Sequence, residues 1–600
     1  MTIAAPRWDL TNVYPSLESK EFQSAIKKYK KMLGELETFI AQKVSKTNSK
    51  TDAKKLGKLL GESVDRFNDI ASLAGTLGAY ISSFVTTDSR NQTAARIQSE
   101  FEQINVRQTK AVTQFRAWIG ALGDKLDKAV DTNPLAKSHA FTLKETRDQA
   151  KYMMSEAEEV LAAELTLSGG RAFNKLQGKL TSQLSVEFEL DGQMQKLPMP
   201  ALINLRTHPD EETRCRAYEA ENKAWERVKE TLAACLNGVK GETNVLFKKR
   251  GRKDVLHFAV DSARIDRKTL DAMLDAMKDS FPMFRRYFQA KAKKLGKGKL
   301  AWWDLFAPIG KTDKLYSFDE ARDFIVENFG KFSPDLRSMA ETAFQNSWID
   351  AEQRDGKRGG AFCMKVPAVK ESRILSNFDG SFDQVSTLAH ELGHAFHNDC
   401  AYKAGKTQLQ QDTPMTLAET ASIMCETIVT EAVLSQTTDP QEQLALLEAQ
   451  LSNASQVIVD IYSRFLFEKE VLERRTRAEL SSDEICEIME RAQKETYGDG
   501  LDERYLQKFM WTWKPHYYNP GFPYYNFPYS FGLLFGTGLY AIYQQRGEAF
   551  VPDYMNLLAS TGEDTAAKLA KRFGIDITKR KFWDDSIAII GNRVDRYVEL

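Results

Sequence analysis

Residues 387–397 read TLAHELGHAFH, and they contain the pattern H-E-x-x-H at 390–394. The apolar residues around the pattern predict a helix that begins near Asp383, a residue suited to cap it. Residues four positions apart lie on one face of a helix, so the imidazoles of His390 and His394 can bind one Zn²⁺ ion. Glu391 can reach a water on that ion without binding the metal itself. The alternative is an exposed helix that carries these side chains without a metal, but the chain has only 7 histidines.

A catalytic zinc site takes three protein ligands and leaves one position open. The candidate third ligand is Glu419, in a second predicted helix that extends to about Ser435. A carboxylate among Leu, Ala, Ile and Met side chains is costly unless it is paired or bound to a metal. Glu426, seven residues further on, either orients a ligand histidine or forms an ordinary ion pair. The sequence therefore predicts one Zn²⁺ ion per chain.

Two other residues of the motif helix have predicted roles outside the ligand set. Gly393 costs helix stability relative to alanine, which predicts the close approach of another element. His397 lies two turns from His390, about 10 Å along the axis, too far for one ion to bind both together with His394. We therefore interpret His397 as a packing residue or as a partner of the ligands.

The chain as a whole is predicted to be mainly α. Apolar residues recur at helical spacing in most segments, namely 17–44, 52–84, 92–130, 143–167, 209–249, 267–294 and 318–349. Alternating residues predict a small hairpin within 184–198 and two short strands within 359–378, which form a small β-sheet beside the motif helix. Because single cores stop growing near about 250–300 residues, 600 residues predict at least two lobes. We assign residues 1–200 to an N-terminal helical lobe and 201–600 to a catalytic domain.

Composition excludes several classes of function. The chain has 83 basic and 83 acidic residues, so it lacks the positive surplus of a nucleic-acid-binding protein. No segment has about 18 consecutive apolar residues, and no secretory signal is recognisable at the N-terminus, which predicts no membrane association. The six cysteines are scattered without a C-x-x-C pair, which predicts free thiols and a cytoplasmic location. The oligomeric state has no signal in the sequence.

The motif region resembles oligoendopeptidase F, a branch of the thimet-oligopeptidase-like metallopeptidases. The resemblance rests on TLAHELGHAFH at 387–397 and LAETAS at 417–422, and the 29 residues from His390 to Glu419 match the spacing of that family's third ligand. His516, followed by YNFPYSFG at 525–532, is similar to the family's histidine and tyrosine segment. Weaker matches near the N-terminus and at Trp303-Asp304 extend the resemblance over essentially the whole chain.

The resemblance implies a two-lobed helical shell around a deep channel that admits short extended peptides and excludes folded proteins. It also implies that His516 and Tyr529, with Tyr525 as a further candidate, stabilise the oxyanion. Phe527 stands where some relatives carry another tyrosine, so it receives no hydrogen-bonding role. Phenol and imidazole donors suit this task, since attack on a peptide carbonyl builds negative charge on oxygen. The alternative for 520–531 is an aromatic core segment.

Together these features predict a zinc endopeptidase for oligopeptides, with Glu391 as the general base. The strand that carries Asn377 and Phe378, with the loop 359–361, is predicted to hold the substrate backbone. One rival is a zinc amidase or exopeptidase that acts on small acyl compounds. A second rival is a peptide-binding protein with structural zinc, but structural sites usually use four protein ligands, and no fourth is evident.

Overall fold

A computed structural model describes residues 5–310 and 314–600, and these residues divide into two compact units. Unit 1 comprises the described residues of 1–153, 314–433 and 542–573. Unit 2 comprises those of 154–313, 434–541 and 574–600. Both units are discontinuous in sequence, and residue 200 lies within unit 2. The division into 1–200 and 201–600 stays a prediction.

Unit 1 is mostly helical and contains the H-E-x-x-H motif. Its helices are Lys20–Phe39, Ala53–Thr87, Gln92–Leu122, Lys125–Val130, Pro134–Ser138, Ala140–Ala150, Phe318–Phe332, Pro334–Gln345, Phe382–Lys403, Met415–Ala418, Thr420–Gln436, Val551–Ala559 and Ala566–Lys571. The helix Thr420–Gln436 ends just beyond the last residue of the unit's second segment. A π-helical turn, Ile40–Val44, and a 3-10 turn, Gly547–Phe550, extend two of the helical segments. An aromatic and aliphatic core holds the first helices together, with Phe22, Tyr29 and Leu60 fully buried.

Unit 2 is also helical. Its helices are Glu156–Ser168, Gly170–Gln183, Met199–Asn204, Glu211–Lys249, Val255–Ser262, Arg267–Asp279, Phe281–Lys294, Pro440–Ser455, Ile461–Arg475, Ser482–Tyr497, Met510–Trp513, Phe527–Arg546 and Arg580–Glu599. The helix Phe527–Arg546 extends beyond the last residue of the unit's second segment. A π-helical turn, Gln456–Asp460, and 3-10 turns at Leu205–Thr207, Trp302–Asp304, Gly498–Gly500, Glu503–Tyr505 and Pro515–Tyr518 connect them. The predicted mainly α fold is confirmed.

The predicted hairpin is present in unit 2. Strands Ser185–Leu190 and Gln193–Pro198 pair antiparallel, with Leu190 opposite Gln193. The two connecting residues, Asp191 and Gly192, both have positive φ angles, 53° and 74°. An Asp-Gly pair adopts this conformation readily, and its twist matches that of the two strands.

The predicted sheet beside the motif helix is present in unit 1. It has three strands in the order Ile349–Asp350, Glu371–Leu375, Phe362–Val366. The first pair is parallel and the second is antiparallel. The second and third strands both pack against the helix Phe382–Lys403, so the sheet and the motif helix form one structural block.

One helix in the described part of the chain, Ala53–Thr87, is long and apolar enough to cross a membrane by length and composition. Of its most apolar window, 44% is buried within the protein. Core helices of soluble proteins pass the same test, so the predicted lack of membrane association stays a prediction.

Candidate metal centre and catalytic residues

The motif helix comprises Phe382–Lys403. Its N-cap is Ser381, whose hydroxyl accepts a hydrogen bond from the backbone N–H of Gln384 at 3.3 Å. The prediction that Asp383 caps this helix was therefore wrong by two positions. Asp383 lies in the first turn, where a carboxylate still interacts favourably with the helix dipole.

The three predicted metal ligands lie together in unit 1. The Nε2 atoms of His390 and His394 are 3.2 and 3.5 Å from the same carboxylate oxygen, Oε2 of Glu419. The candidate ligand atoms of all three residues lie within 4.8 Å of one another. Glu419 occupies the break between the helices Met415–Ala418 and Thr420–Gln436. There its carboxylate meets the face of the motif helix that carries both imidazoles.

This cluster fits a zinc ion. Ligand atoms about 2.0–2.2 Å from a tetrahedral zinc lie about 3.4 Å from one another. The two nitrogen–oxygen distances to Glu419, 3.2 and 3.5 Å, match that separation. Two imidazoles and one carboxylate are the ligand set of a catalytic zinc site, which keeps one position open.

Two further side chains orient the candidate ligands. Oε2 of Glu426 lies 3.0 Å from Nδ1 of His390, on the side of the ring opposite the cluster. The hydroxyl of Ser422 donates a hydrogen bond of 2.6 Å to Oε2 of Glu419. Of the two roles considered for Glu426, the structure places it in the orienting one. The role of Ser422 was not predicted from the sequence. Its position one helical turn after Glu419 was the available indication that the two side chains could meet.

The electrostatics of the cluster show how strongly its carboxylates act on the histidines. Burial lowers the pKa of His390, but hydrogen bonds to Glu419 and Glu426 outweigh burial and raise it to about 10. Burial lowers the pKa of His394 to about 4. Burial acts to raise the pKa of Glu419, but the two histidines hold it at about 2. The site thus concentrates negative charge where a cation would bind.

Gly393 explains how the Glu419 segment comes so close to the motif helix. A Cβ atom at this position would lie 2.6 Å from both the carbonyl oxygen of Ala421 and the Cα of Ser422. Both contacts are with backbone atoms, which cannot rotate away as a side chain could. The expectation that another element approaches Gly393 is confirmed.

We expect Gly393→Ala to weaken metal binding. The methyl group forces the Thr420–Gln436 helix away from the motif helix, with a cost typical of overpacking, about 1–3 kcal/mol. Because this displacement moves the carboxylate of Glu419 away from the two imidazoles, metal affinity should fall roughly 10–100-fold, which is the loss typical when a side chain that orients a ligand is removed. Competitive titration with a chromophoric chelator measures the affinity. The matched control is Gly178→Ala, a helical glycine with open space around its Cβ position. If both variants bind metal like the wild type, the close approach is not required.

Glu391 is buried beside the cluster, with 6% of its surface exposed. Its Oε2 atom has no hydrogen-bond partner among the described residues. Burial raises the pKa of this carboxyl group to about 7, against the opposing charge of His390. A buried carboxylate oxygen without a partner is costly, so this atom is suited to receive a hydrogen bond from a bound water.

A cavity of about 920 Å³ within unit 1 opens onto His390, Glu391, His394 and Glu419. Another part of its wall is the strand Phe362–Val366, which we call the edge strand because it is last in its sheet. The helix Ala53–Thr87 contributes small residues at helical spacing, namely Gly75, Gly78, Ala79 and Ser82. This stripe was visible in the sequence but was not interpreted as a cavity wall.

The main chain of the edge strand is available on its outer side. In the neighbouring strand, Ile374 donates its backbone N–H to Trp348, so its polar groups point away from the edge strand. Its partner in the antiparallel register is Cys363. The main-chain groups of Cys363 and Lys365 therefore point away from the sheet, toward its open edge.

The predicted edge position of the strand that carries Asn377 and Phe378 was wrong, whereas Ala361 of the predicted loop lines the cavity. Asn377 and Phe378 follow the central strand and do not lie at an open edge. The backbone N–H of Phe378 donates to Ala351, and the side chain of Asn377 donates to the carbonyl groups of Arg358 and Gly360. Sequence alternation identified both strands, but their order in the sheet depends on long-range pairing.

His397 is a packing residue, as one of its two predicted interpretations stated. It is 8% exposed, and its Nε2 atom lies 2.9 Å from the hydroxyl of Thr561. Burial lowers its pKa to about 4, so it is neutral at physiological pH.

The C-terminal candidates His516, Tyr525 and Tyr529 lie together in unit 2. The hydroxyl groups of Tyr525 and Tyr529 are 2.6 Å apart, and the rings of His516 and Tyr525 stack with centroids 5.8 Å apart. Nδ2 of Asn526 lies 2.8 Å from Nε2 of His516. Because an amide nitrogen only donates, Nε2 accepts, and the neutral ring carries its proton on Nδ1. Burial, together with Arg464 and Lys514, lowers the pKa of His516 to about 2, so this imidazole is a neutral donor.

Comparison with known proteins gives consistent results. The family model described as Peptidase family M3 matches residues 204–589, and one described as Oligopeptidase F matches 121–185. Oligopeptidase PepF of Bacillus subtilis is 22% identical over 80% of this chain and 71% of its own. An oligoendopeptidase F homolog of Borreliella burgdorferi is 21% identical over 90% of each chain.

Solved structures show the same fold. A crystal structure of oligoendopeptidase-F from Enterococcus faecium superposes with a TM-score of 0.72 at 18% identity, covering 96% of this chain and 98% of that one. A crystal structure from Chlamydophila abortus superposes with a TM-score of 0.84, also at 18% identity, covering 99% and 98%.

Proposed function

The chain belongs to peptidase family M3, in its oligoendopeptidase F branch, and from this membership we propose that it is a zinc endopeptidase for short, unstructured oligopeptides. The observation that carries the proposal is the cluster of His390, His394 and Glu419 with the buried, unpartnered carboxylate of Glu391 beside it. Family membership implies a metal, and this ligand set suits zinc.

In the proposed mechanism, His390, His394 and Glu419 hold the ion. When bound, zinc supplies a Lewis acid that activates water and polarises the scissile carbonyl. Glu391 accepts the proton of the attacking water at its free Oε2 atom and returns it to the leaving amine. Glu426 keeps His390 oriented by accepting the Nδ1 proton, which leaves Nε2 for the metal.

The substrate is proposed to bind along the edge strand Phe362–Val366. The outward main-chain groups of Cys363 and Lys365 can pair with an extended peptide, which adds a strand to the sheet. Such pairing requires an unfolded substrate segment and depends little on side chains. It supports loose sequence preference and selection for unstructured peptides.

His516, Tyr529 and Tyr525 are proposed to donate hydrogen bonds to the oxyanion. They belong to unit 2 and the ligand cluster belongs to unit 1, so their joint action is a hypothesis supported by the family resemblance and by their chemistry. The neutral His516 ring carries its proton on Nδ1, and the two phenols form a hydrogen-bonded pair. Donors of this kind contribute about 10²–10³ in kcat when they bind a developing oxyanion.

All six cysteines are free, as predicted, and four of them are buried. A large chain without disulfides is typical of a reducing compartment. This observation supports the proposed cytoplasmic location.

A peptide-length series tests the proposed function. We expect internal cleavage of quenched fluorescent peptides, loss of turnover on chelation and recovery with Zn²⁺. The cleavage rate should fall as the peptides of the series become longer. A folded protein of matched composition should be cleaved slowly or not at all. Tyr529→Phe and Tyr525→Phe, measured on the same peptides, should lower kcat more than they change KM. Release of only terminal residues would favour an exopeptidase, and full digestion of the folded protein would contradict the substrate class.

A further inference from the structure

One helix of unit 2, Ile461–Arg475, contacts the loop that leads to Tyr525. The ring of its Phe465 lies 5.2 Å, between centroids, from the ring of Tyr524, the residue before Tyr525. The carboxylate of its Glu468 accepts a hydrogen bond of 3.0 Å from the backbone N–H of Tyr524. The position just before Tyr525 is therefore held by one side-chain contact and one main-chain contact with the same helix.

The backbone of Tyr524 has an unusual conformation. Its φ angle is 55°, in the left-handed region that bulky side chains rarely occupy. A residue other than glycine is strained there, and it keeps the conformation only where its surroundings enforce it. For Tyr524 the buried ring and the hydrogen bond to Glu468 provide this enforcement. The left-handed turn sets the direction in which the next residue, Tyr525, leaves the loop.

Glu468 is itself fixed by a buried cation. Nζ of Lys240, on the helix Glu211–Lys249, lies 2.5 Å from Oε1 of Glu468, and Oε2 of the same carboxylate bonds to Tyr524. The two side chains are only 1% and 3% exposed. Because a buried charge is costly unless it is paired, each partner holds the other in place.

The same ion pair also contacts the other end of the loop. Nζ of Lys240 lies 5.9 Å from the centroid of the Tyr517 ring, within the range of a cation–π interaction. Tyr517 directly follows His516, and the centroids of these two rings are 4.4 Å apart. Each member of the stacked pair of His516 and Tyr525 thus has a sequence neighbour in contact with the ion pair.

We propose that Glu468, held by Lys240, is a positioning residue for the candidate oxyanion donors His516 and Tyr525. Its hydrogen bond keeps Tyr524 in the left-handed conformation, and this places the ring of Tyr525 against His516. The inference rests on the proposed function, because it requires that these donors act on the oxyanion. An ion pair with a structural role alone would stabilise unit 2 without a specific effect on kcat.

Substitutions at Glu468 isolate the hydrogen bond to Tyr524. In a Lys240→Met background neither variant leaves an unpaired buried charge. Glu468→Gln keeps an acceptor of the same reach, and Glu468→Leu removes it. On a quenched peptide, we expect kcat of the Leu variant to be about 10–100-fold below that of the Gln variant, with little change in KM, because a small misplacement of a catalytic group costs this much. Thermal unfolding confirms that both variants are folded at the assay temperature.

Substitutions at Tyr524 make the same comparison while the ion pair stays intact. Glycine adopts a positive φ angle without strain and keeps the N–H, whereas proline is fixed near about −65° and has no N–H. Both substitutions remove the ring, so each is the matched control of the other. Tyr524→Pro should have a kcat about 10–100-fold below that of Tyr524→Gly. Equal kcat values in these two variants would overturn the proposal.

A double-mutant cycle separates positioning from general stability. In a Tyr525→Phe/Tyr529→Phe background the phenol donors are absent, so most of the difference between the Leu and Gln variants of Glu468 should disappear. An undiminished difference in that background would overturn the proposal, as would equal kcat values of the two variants in its absence. Peptide cleavage by the wild type, with a lower kcat in Tyr525→Phe/Tyr529→Phe, tests the proposed function separately. A wild-type kcat in that double variant would refute the donor role of the tyrosines, and the positioning role with it.

Discussion

Glu391→Gln is expected to retain bound metal and to lose about 10²–10⁴-fold in kcat, the usual contribution of a general base. The amide has nearly the same shape as the carboxylate but cannot accept a proton from the attacking water. Because Glu391 is absent from the group of atoms that can ligate the ion, metal content should stay at the wild-type level. Metal analysis of the purified variant and steady-state kinetics on a quenched peptide measure the two effects.

Asp399→Asn is the matched control for this substitution. Asp399 lies on the same helix, burial raises its pKa, and its carboxylate pairs with Lys403 at 2.9 Å outside the ligand cluster. The control should keep full activity. Near-wild-type cleavage by Glu391→Gln would refute the proposed role of Glu391. Loss of metal from that variant would instead show that the carboxylate supports the ligands.

The metal cluster was predictable because most of its signal is local. His390, Glu391 and His394 lie within one turn of a helix, whose period fixes their geometry. Glu419 could be identified because an isolated carboxylate in an apolar segment needs a partner. Gly393 indicated a close approach for a similar reason. The sequence could not show that the backbone of Ala421 and Ser422 is what approaches Gly393, because this contact joins two separate helices.

The remaining differences arise where tertiary packing decides. The predicted helix over 92–130 ends at Leu122, because Gly123 has a φ of 53° that terminates the helix before Lys125–Val130. The segment 267–294 divides into two helices at Ser280. Pro282 lies in the first turn of the second helix, where a proline is tolerated, whereas within a continuous helix it would break the hydrogen bonding. The third strand of the sheet, Ile349–Asp350, pairs with Glu371–Leu375 and so leaves Phe362–Val366 at the edge. This strand has two residues, which is too short for periodicity to detect.

The two-unit organisation was the least accessible feature. Each unit assembles segments far apart in sequence, such as residues 314–433 and 542–573 of unit 1. Hydrophobic periodicity identifies a helix and its buried face, but it does not identify the distant partner of that face. For this reason chain length and periodicity could not assign segments to units, and the division into residues 1–200 and 201–600 stays a prediction.

Glu419→Ala is expected to abolish high-affinity metal binding and, with it, peptide hydrolysis. Two imidazoles remain, but a catalytic zinc site requires a third protein ligand. The loss should exceed that of Glu426→Gln, which replaces the charged acceptor of the Nδ1 proton of His390 by a neutral one and should weaken binding roughly 10–100-fold. Titration of the metal-free proteins with Zn²⁺ against a chromophoric chelator ranks the two variants.

The control for this ranking is Glu431→Ala, on the same helix as Glu426 but outside the ligand cluster. It should bind Zn²⁺ like the wild type. The ranking separates a ligand from its orienting partner, because removing a partner still leaves three ligands in place. If Glu419→Ala retained full affinity while Glu426→Gln lost it, the third ligand would be Glu426. The carboxylate oxygen of Glu419, shared at 3.2 and 3.5 Å by both imidazoles, would then be an ion-pair partner of the histidines.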